Sequence, residues 1–173
     1  MELIRTRPLR ETDPALIAAA FAAIGWSRPA TQFERYHAEQ EAGHRHVFVA
    51  SMNHEFAGYI TLNWEPAYEP FREASIPEIQ DLNVLPPFRR RGIGSALLDA
   101  AEAAAGSRAA VAGIAVGLSS DYGAAQRLYV RRGYIPDGRG IIYRGRAVNF
   151  GEAVTADDDL VLCFTRELPR YKL

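Results

Sequence analysis

The spacing of apolar and polar positions changes period several times along the 173-residue chain. Leu3 to Leu9 reads as a first strand. Asp13-Pro14 supplies an N-cap and a proline at the first helical position, and Ala15 to Ile24 follows as a helix ended by Gly25. Pro29 to Ala42 reads as a second helix, stopped at Gly43. Val47 to Met52 and Phe56 to Trp64 are strands joined by an Asn53-His54 hairpin turn. Glu65 to Pro77 holds Pro66, Pro70 and Pro77 with Tyr68 and Phe71, and reads as an aromatic loop of the kind that lines a binding site.

Glu78 to Leu85 is the central strand of this pattern. Its apolar positions, Ile79, Leu82 and Val84, break the alternation that a regular strand keeps. The register therefore slips near Gln80-Asp81, and a β-bulge accounts for the slip. A helix ending near Ala105, a buried strand over Ala110 to Leu118, and a short helix over Tyr122 to Arg132 come next. Gly133 stops that helix. Tyr134 to Pro136, Ile141 to Tyr143 and Leu160 to Leu168 supply the last strands. The pattern predicts one α/β domain over residues 1–173, with a mixed central sheet of about six to seven strands flanked by helices, a bulge and splayed central strands.

Composition narrows the function classes. Apolar content is 48%, charged content 24% and net charge −1, so no global field favours nucleic acid or an anionic membrane. The lone Cys163 excludes an internal disulfide and reads as an apolar filler of a late strand. His37, His44, His46 and His54 lack further ligands at metal-binding spacing, so no metal is expected. The start of the chain has no signal-peptide character and no run reaches transmembrane length, which makes the cytoplasm the expected location. Asp157-Asp158-Asp159 reads as a solvated turn.

One stretch carries specific chemistry. Arg89-Arg90-Arg91-Gly92-Ile93-Gly94-Ser95 lies between the irregular strand and an Ala/Leu-rich helix. Glycines let backbone N–H groups approach an anion without an intervening Cβ. A helix start adds unsatisfied donors and the positive end of its dipole, so the stretch is a phosphate or pyrophosphate cradle. A Rossmann fingerprint is a poor fit, because Leu97 takes the place of the third glycine and the loop follows a mid-chain strand.

The run from Asp81 to Leu98 resembles motif A of the GNAT N-acetyltransferases, with Arg89, Gly92 and Gly94 at its fixed positions. Ala125-Gln126-Arg127-Leu128-Tyr129 through Gly133-Tyr134 resembles motif B of the same family, at the right distance. The resemblance implies an acetyl-CoA-dependent N-acetyltransferase that moves an acetyl group directly to a primary amine of a small molecule or peptide. A non-catalytic acyl-CoA-binding sensor is the alternative. It further implies that the pyrophosphate rests on the N–H groups of Arg90 to Ser95 and that the pantetheine arm pairs with the backbone of Leu82, Asn83 and Val84. Tyr122 and Ala125 complete the implied cofactor contacts, and Tyr122 departs from the family, which usually has Asn there. Relatives are often dimers.

Acetyl transfer needs a neutral amine, a stabilised oxyanion and a proton for the leaving thiolate. The resemblance assigns the proton donor to Tyr129 and the oxyanion donor to a main-chain N–H near Val84. The base is left among Glu78, which stands eleven residues before Arg89, Asp81, and a water chain. Trp64, Tyr68 and Phe71 suggest an aromatic entrance for the acceptor, and Glu65, Glu69 and Glu73 would draw an amine toward it.

Overall fold

A computed structural model describes residues 3–169. Its strands are β1 (Ile4–Pro8), β2 (Arg45–Met52), β3 (Glu55–Asn63), β4 (Glu78–Val84), β5 (Val111–Gly117), β6 (Ile135–Tyr143), β7 (Arg146–Ala147) and β8 (Leu160–Glu167). Its helices are α1 (Asp13–Ala22), α2 (Ala30–Glu41), α3 (Glu69–Glu73), α4 (Ile93–Gly106) and α5 (Gly123–Arg131). The residues group into two compact units. The first runs to Trp64 and includes Gln80–Ala104; the second holds Glu65–Ile79 and the chain from Ala105 onward.

In the first unit the strands pair in the order β1-β2-β3-β4. β1 runs antiparallel to β2 from Ile4↔Met52 to Pro8↔Phe48. The β2–β3 hairpin closes at Met52↔Glu55. Asn53 and His54 both take positive φ, 50° and 73°, which is the mirror-image turn whose twist matches the strands. α1 and α2 lay Ile17, Phe21, Phe33 and Tyr36 against Val47, Val49 and Tyr59. Phe33 meets the Tyr59 ring edge-on at 5.1 Å and the Tyr36 ring at 6.2 Å.

In the second unit the order is β4-β5-β8-β6-β7. β4 enters through a parallel ladder of Glu78↔Gly113 and Ile79↔Ile114. β5 and β8 run antiparallel from Val111↔Glu167 to Gly117↔Val161. Tyr68, Phe71, Ile142 and Cys163 form a buried cluster there.

The structure differs from the expected pattern at four places. Among the described residues there are eight strands instead of six or seven, because Arg146–Ala147 forms a two-residue return. β6 is one strand, since the register shift between Pro136 and Ile141 absorbs Gly138 and Gly140 at φ 82° and 75°. Asp13 opens α1 as its first residue without capping it by its side chain. Its carboxylate instead takes both guanidinium nitrogens of Arg7, at 2.6 and 2.8 Å, and the Arg10 N–H. The loop before β4 contains α3, and its aromatic residues face inward. Tyr68 and Phe71 are buried, and a Cβ on Gly113 would fall 2.3 Å from the Phe71 ring. These two rings fill a core, which corrects their reading as an aromatic entrance.

Candidate functional site

β4 changes character along its length. Glu78 and Ile79 are buried, whereas Gln80 to Val84 are all half-exposed. Asp81 sits at φ 53°, a left-handed conformation rare for a non-glycine residue in a strand. The backbone is thus irregular where the apolar spacing breaks. The Asn83 side chain donates to the Asp81 carbonyl at 3.1 Å and holds the irregular turn of backbone. Past it the strand rejoins β3, where the Leu85 N–H donates to Ala57 at 2.9 Å. Gly58 of β3 makes this approach feasible, because a Cβ there would stand 2.3 Å from the Asn83 carbonyl oxygen. Leu82, Asn83 and Val84 thus present a half-open strand backbone.

The loop that follows leads into a helix start with unsatisfied donors. Pro86–Phe88 makes one tight turn. Arg90 at φ 61° and Gly92 at φ 87° then fold the backbone around. The first bond of this helical turn runs from the Ala96 N–H to the Gly92 carbonyl at 3.0 Å. The N–H groups of Ile93, Gly94 and Ser95 precede it and have no carbonyl within the helix to meet. Buried Ile93, Leu97 and Leu98 anchor α4 to its core. Donors and the helix dipole therefore converge on the loop mouth, with guanidinium charge around it. Arg89 and Arg90 are exposed and Arg91 is half-exposed. The Arg89 Nε donates to the Val84 carbonyl at 3.0 Å and its guanidinium lies 5.5 Å from the Trp26 ring centre. Arg91 reaches the Pro87 carbonyl at 3.4 Å. Arg89 thus ties the loop to the end of β4.

A polar network beneath the bulge escaped sequence reasoning. Arg45 is buried and donates to Glu39 at 2.5 Å, Thr61 at 2.9 Å and Gln80 at 3.1 Å. Its guanidinium packs 4.6 Å from the Tyr36 ring centre. The Tyr36 hydroxyl donates to Asp81 Oδ2 at 2.5 Å and accepts from Gln32 at 3.3 Å. Burial, then the Asp81 charge, raises the Tyr36 phenol above its ordinary range. The usable signal was Tyr36 three positions after Phe33, on the apolar face of α2.

The second unit holds the other candidates. Glu78 is 6% exposed at the start of β4, and Tyr129 is 5% exposed near the end of α5. Burial, and secondarily Tyr122, pushes the Tyr129 phenol well above its ordinary value, so it keeps its proton at neutral pH. Tyr122 lays its ring against Gly117, where a Cβ would come 2.4 Å from it. Its hydroxyl donates to Asp158 at 2.8 Å. Gln126 takes the Gly117 carbonyl at 2.8 Å, and Ala125 lies half-buried on α5. The expected solvated turn at Asp157-Asp158-Asp159 is a clasp. Asp157 accepts from Tyr143 at 3.0 Å, Asp158 from Tyr122, and Asp159 from Arg144 at 3.3 Å. Buried Cys163 fills space as expected, and burial, with Asp137 and Glu78 nearby, pushes its thiol up to about 12. Among the described residues no group of three or more His, Cys, Asp or Glu is placed to hold a metal ion. No helix among them is long and apolar enough to cross a membrane.

Comparison with known proteins adds the chemical context. Residues 14–134 match the model of the acetyltransferase (GNAT) family. Among solved structures, yncA from Salmonella typhimurium, solved with its cofactor acetyl-CoA, is 19% identical with a TM-score of 0.68, over 98% of this chain and 96% of that one. A ribosomal-protein-alanine N-acetyltransferase from Brucella melitensis is 18% identical with a TM-score of 0.70, covering 95% and 99%. The ribosomal-protein-S18-alanine N-acetyltransferase from Escherichia coli is 16% identical with a TM-score of 0.67, covering 96% and 94%. At these identities the likeness is one of fold. No curated protein matches the chain.

Proposed function

Since the chain belongs to the acetyltransferase (GNAT) family and acetyl-CoA is its cosubstrate, we propose that it transfers the acetyl group directly to a primary amine of a small molecule or peptide. The observation that carries this reading is the strand-to-helix passage: a left-handed Asp81, a half-open Leu82–Val84 backbone, and left-handed Arg90 and Gly92 leading into α4. Acetyl-CoA supplies the acetyl group as a thioester. The N–H groups of Arg90 to Ser95 bind its pyrophosphate, with the three arginines as counter-charge. The backbone of Leu82, Asn83 and Val84 pairs with its pantetheine amides, and an N–H near Val84 serves the oxyanion. Ala125 and Tyr122 of α5 are the remaining cofactor contacts in this reading.

Buried Glu78 accepts the proton that the attacking amine gives up, and the neutral phenol of Tyr129 supplies a proton to the departing sulfur. Burial disfavours the ionised form of Tyr129 and keeps its phenol protonated. The Tyr122 hydroxyl is engaged with Asp158, so Tyr122 contributes its ring and the placement of α5 in place of the amide usual there.

The test is Gly92→Val, read by calorimetric titration with acetyl-CoA. A β-branched residue at φ 87° is strained and crowds the anion. Affinity falls at least about a hundredfold, on the order of 2.7 kcal/mol, while circular dichroism stays native. Unchanged affinity removes the cofactor assignment. Release of free CoA thiol with a panel of amines tests turnover, and tight CoA binding with no turnover on any amine class leaves the sensor reading in its place.

A further inference from the structure

Two neighbouring residues of β4 are gripped from the same side. In a regular strand Gln80 and Asp81 would point to opposite faces of the sheet. Here the Gln80 side chain accepts from the Arg45 guanidinium at 3.1 Å, and the Asp81 carboxylate accepts from the Tyr36 hydroxyl at 2.5 Å. The Arg45 guanidinium and the Tyr36 ring lie together, 4.6 Å from guanidinium carbon to ring centre. Both β4 side chains therefore end in one cluster. The left-handed turn at Asp81, φ 53°, accounts for the second one arriving there.

Each grip is itself anchored. Tyr36 and Glu39 stand three positions apart on α2, which puts them on one face of that helix. Glu39 accepts from the Arg45 Nε at 2.5 Å, and Thr61 of β3 accepts from a terminal nitrogen at 2.9 Å. Arg45 thus reaches from β2 across β3 to β4. Gln32 donates to the Tyr36 oxygen at 3.3 Å, which leaves the Tyr36 proton directed at Asp81. A charge-assisted bond of this kind is roughly twice as strong as a neutral one. It offsets the resistance of a residue with a Cβ to the left-handed region.

We infer that Tyr36 and Arg45 are positioning residues for acetyl-CoA, holding β4 in the irregular form whose Leu82–Val84 backbone receives the pantetheine arm. The identity of the ligand rests on the acetyltransferase reading. Both residues act through β4, Tyr36 at Asp81 and Arg45 at Gln80. An Asp81 released to extended geometry would send its side chain to the opposite face and redirect the backbone that follows it.

The experiment compares the full parent chain with Tyr36→Phe, Asp81→Gly and the double variant. Phenylalanine keeps the ring against Phe33 and Arg45 and removes the bond to Asp81. NMR of the free chain reads the Asp81 backbone conformation from its carbon chemical shifts, and calorimetric titration reads acetyl-CoA affinity. Tyr36→Phe loses the left-handed shifts at Asp81 and binds acetyl-CoA about tenfold more weakly, on the order of 1.4 kcal/mol. Glycine takes a positive φ without help. In the Asp81→Gly background, adding Tyr36→Phe therefore changes affinity by less than about twofold. A hydroxyl that serves only the fold would cost the same in both backgrounds. Arg45→Lys keeps the charge and loses the planar fork, and it weakens acetyl-CoA severalfold. If Tyr36→Phe fails to fold, Asp81→Ala removes the same bond from the other end. Alanine lacks glycine's freedom, so this variant binds acetyl-CoA about tenfold more weakly than Asp81→Gly. Left-handed shifts that persist in Tyr36→Phe overturn the inference. So does an equal loss of affinity in the two backgrounds, or Asp81→Ala binding as tightly as Asp81→Gly. A parent chain that binds no acetyl-CoA sinks the acetyltransferase reading, whereas parental affinity in Tyr36→Phe or Arg45→Lys sinks the positioning role alone.

Discussion

The two ends of β4 carry carboxylates only three positions apart and treat them in opposite ways. Glu78 stands where the strand is laddered to β5 and is buried. Asp81 stands where the backbone turns left-handed and the strand is half-open, and a tyrosine hydroxyl holds it. Regular pairing buries Glu78. Irregular pairing leaves Asp81 half-exposed and hydrogen-bonded to Tyr36. The two carboxylates therefore sit in opposite surroundings, and the buried one is the base we propose.

The largest expected effect breaks that division at its buried end. Glu78→Gln lowers kcat by about 10²–10⁴, the usual contribution of a positioned base. Asp81→Asn weakens the charge-assisted bond from the Tyr36 hydroxyl and leaves kcat nearly intact. Equal kcat losses in both variants, measured by CoA release, would erase the contrast. Tyr129→Phe comes next, with kcat down by about 10–100-fold and the KM for acetyl-CoA little changed. A variant as fast as the parent shows the phenol to be packing alone.

Gly58→Ala probes the bulge from the opposite strand. The added methyl meets the Asn83 carbonyl, so urea unfolding reports a loss of about 1–3 kcal/mol together with weaker acetyl-CoA binding. A stable variant with weakened binding sharpens the comparison further, since it moves β4 without touching either carboxylate. The smallest effect is a pH dependence. Tyr59 and Tyr129 both have phenols raised above the unfolded value by burial first, with Asp81 and Tyr122 respectively adding to it. Folded and unfolded states hold these protons equally below about pH 10, and only the unfolded chain releases them just above it. Stability is therefore fully present below pH 10 and declines as pH rises beyond it, which a denaturant series at pH 8 to 11 measures.

Periodicity made most of this architecture legible. The spacing of Ile79, Leu82 and Val84 located the bulge within one residue, because each side chain must choose a face of the sheet. Gly92 and Gly94 beside three arginines made the anion loop legible for a similar reason, as few folds place such donors at a helix start. The Tyr68–Phe71 segment was misread because aromatic residues look alike in a loop and in a core; what separates them is Gly113, a distant residue whose missing Cβ admits the Phe71 ring. β7 carries no apolar residue pair to betray it. Tyr36 was hidden for a different reason. On an apolar face a tyrosine reads as a ring, and only the three-dimensional neighbours of its hydroxyl reveal a polar duty.

Cys163 offers one practical consequence. A thiol that is 1% exposed and pushed up to about 12 neither forms thiolate nor meets reagent while the second unit is closed. It is also the chain's single cysteine. Its rate of labelling by a thiol-reactive dye therefore clocks the opening of that unit alone. No probe needs to be engineered to follow how acetyl-CoA or an amine slows that opening.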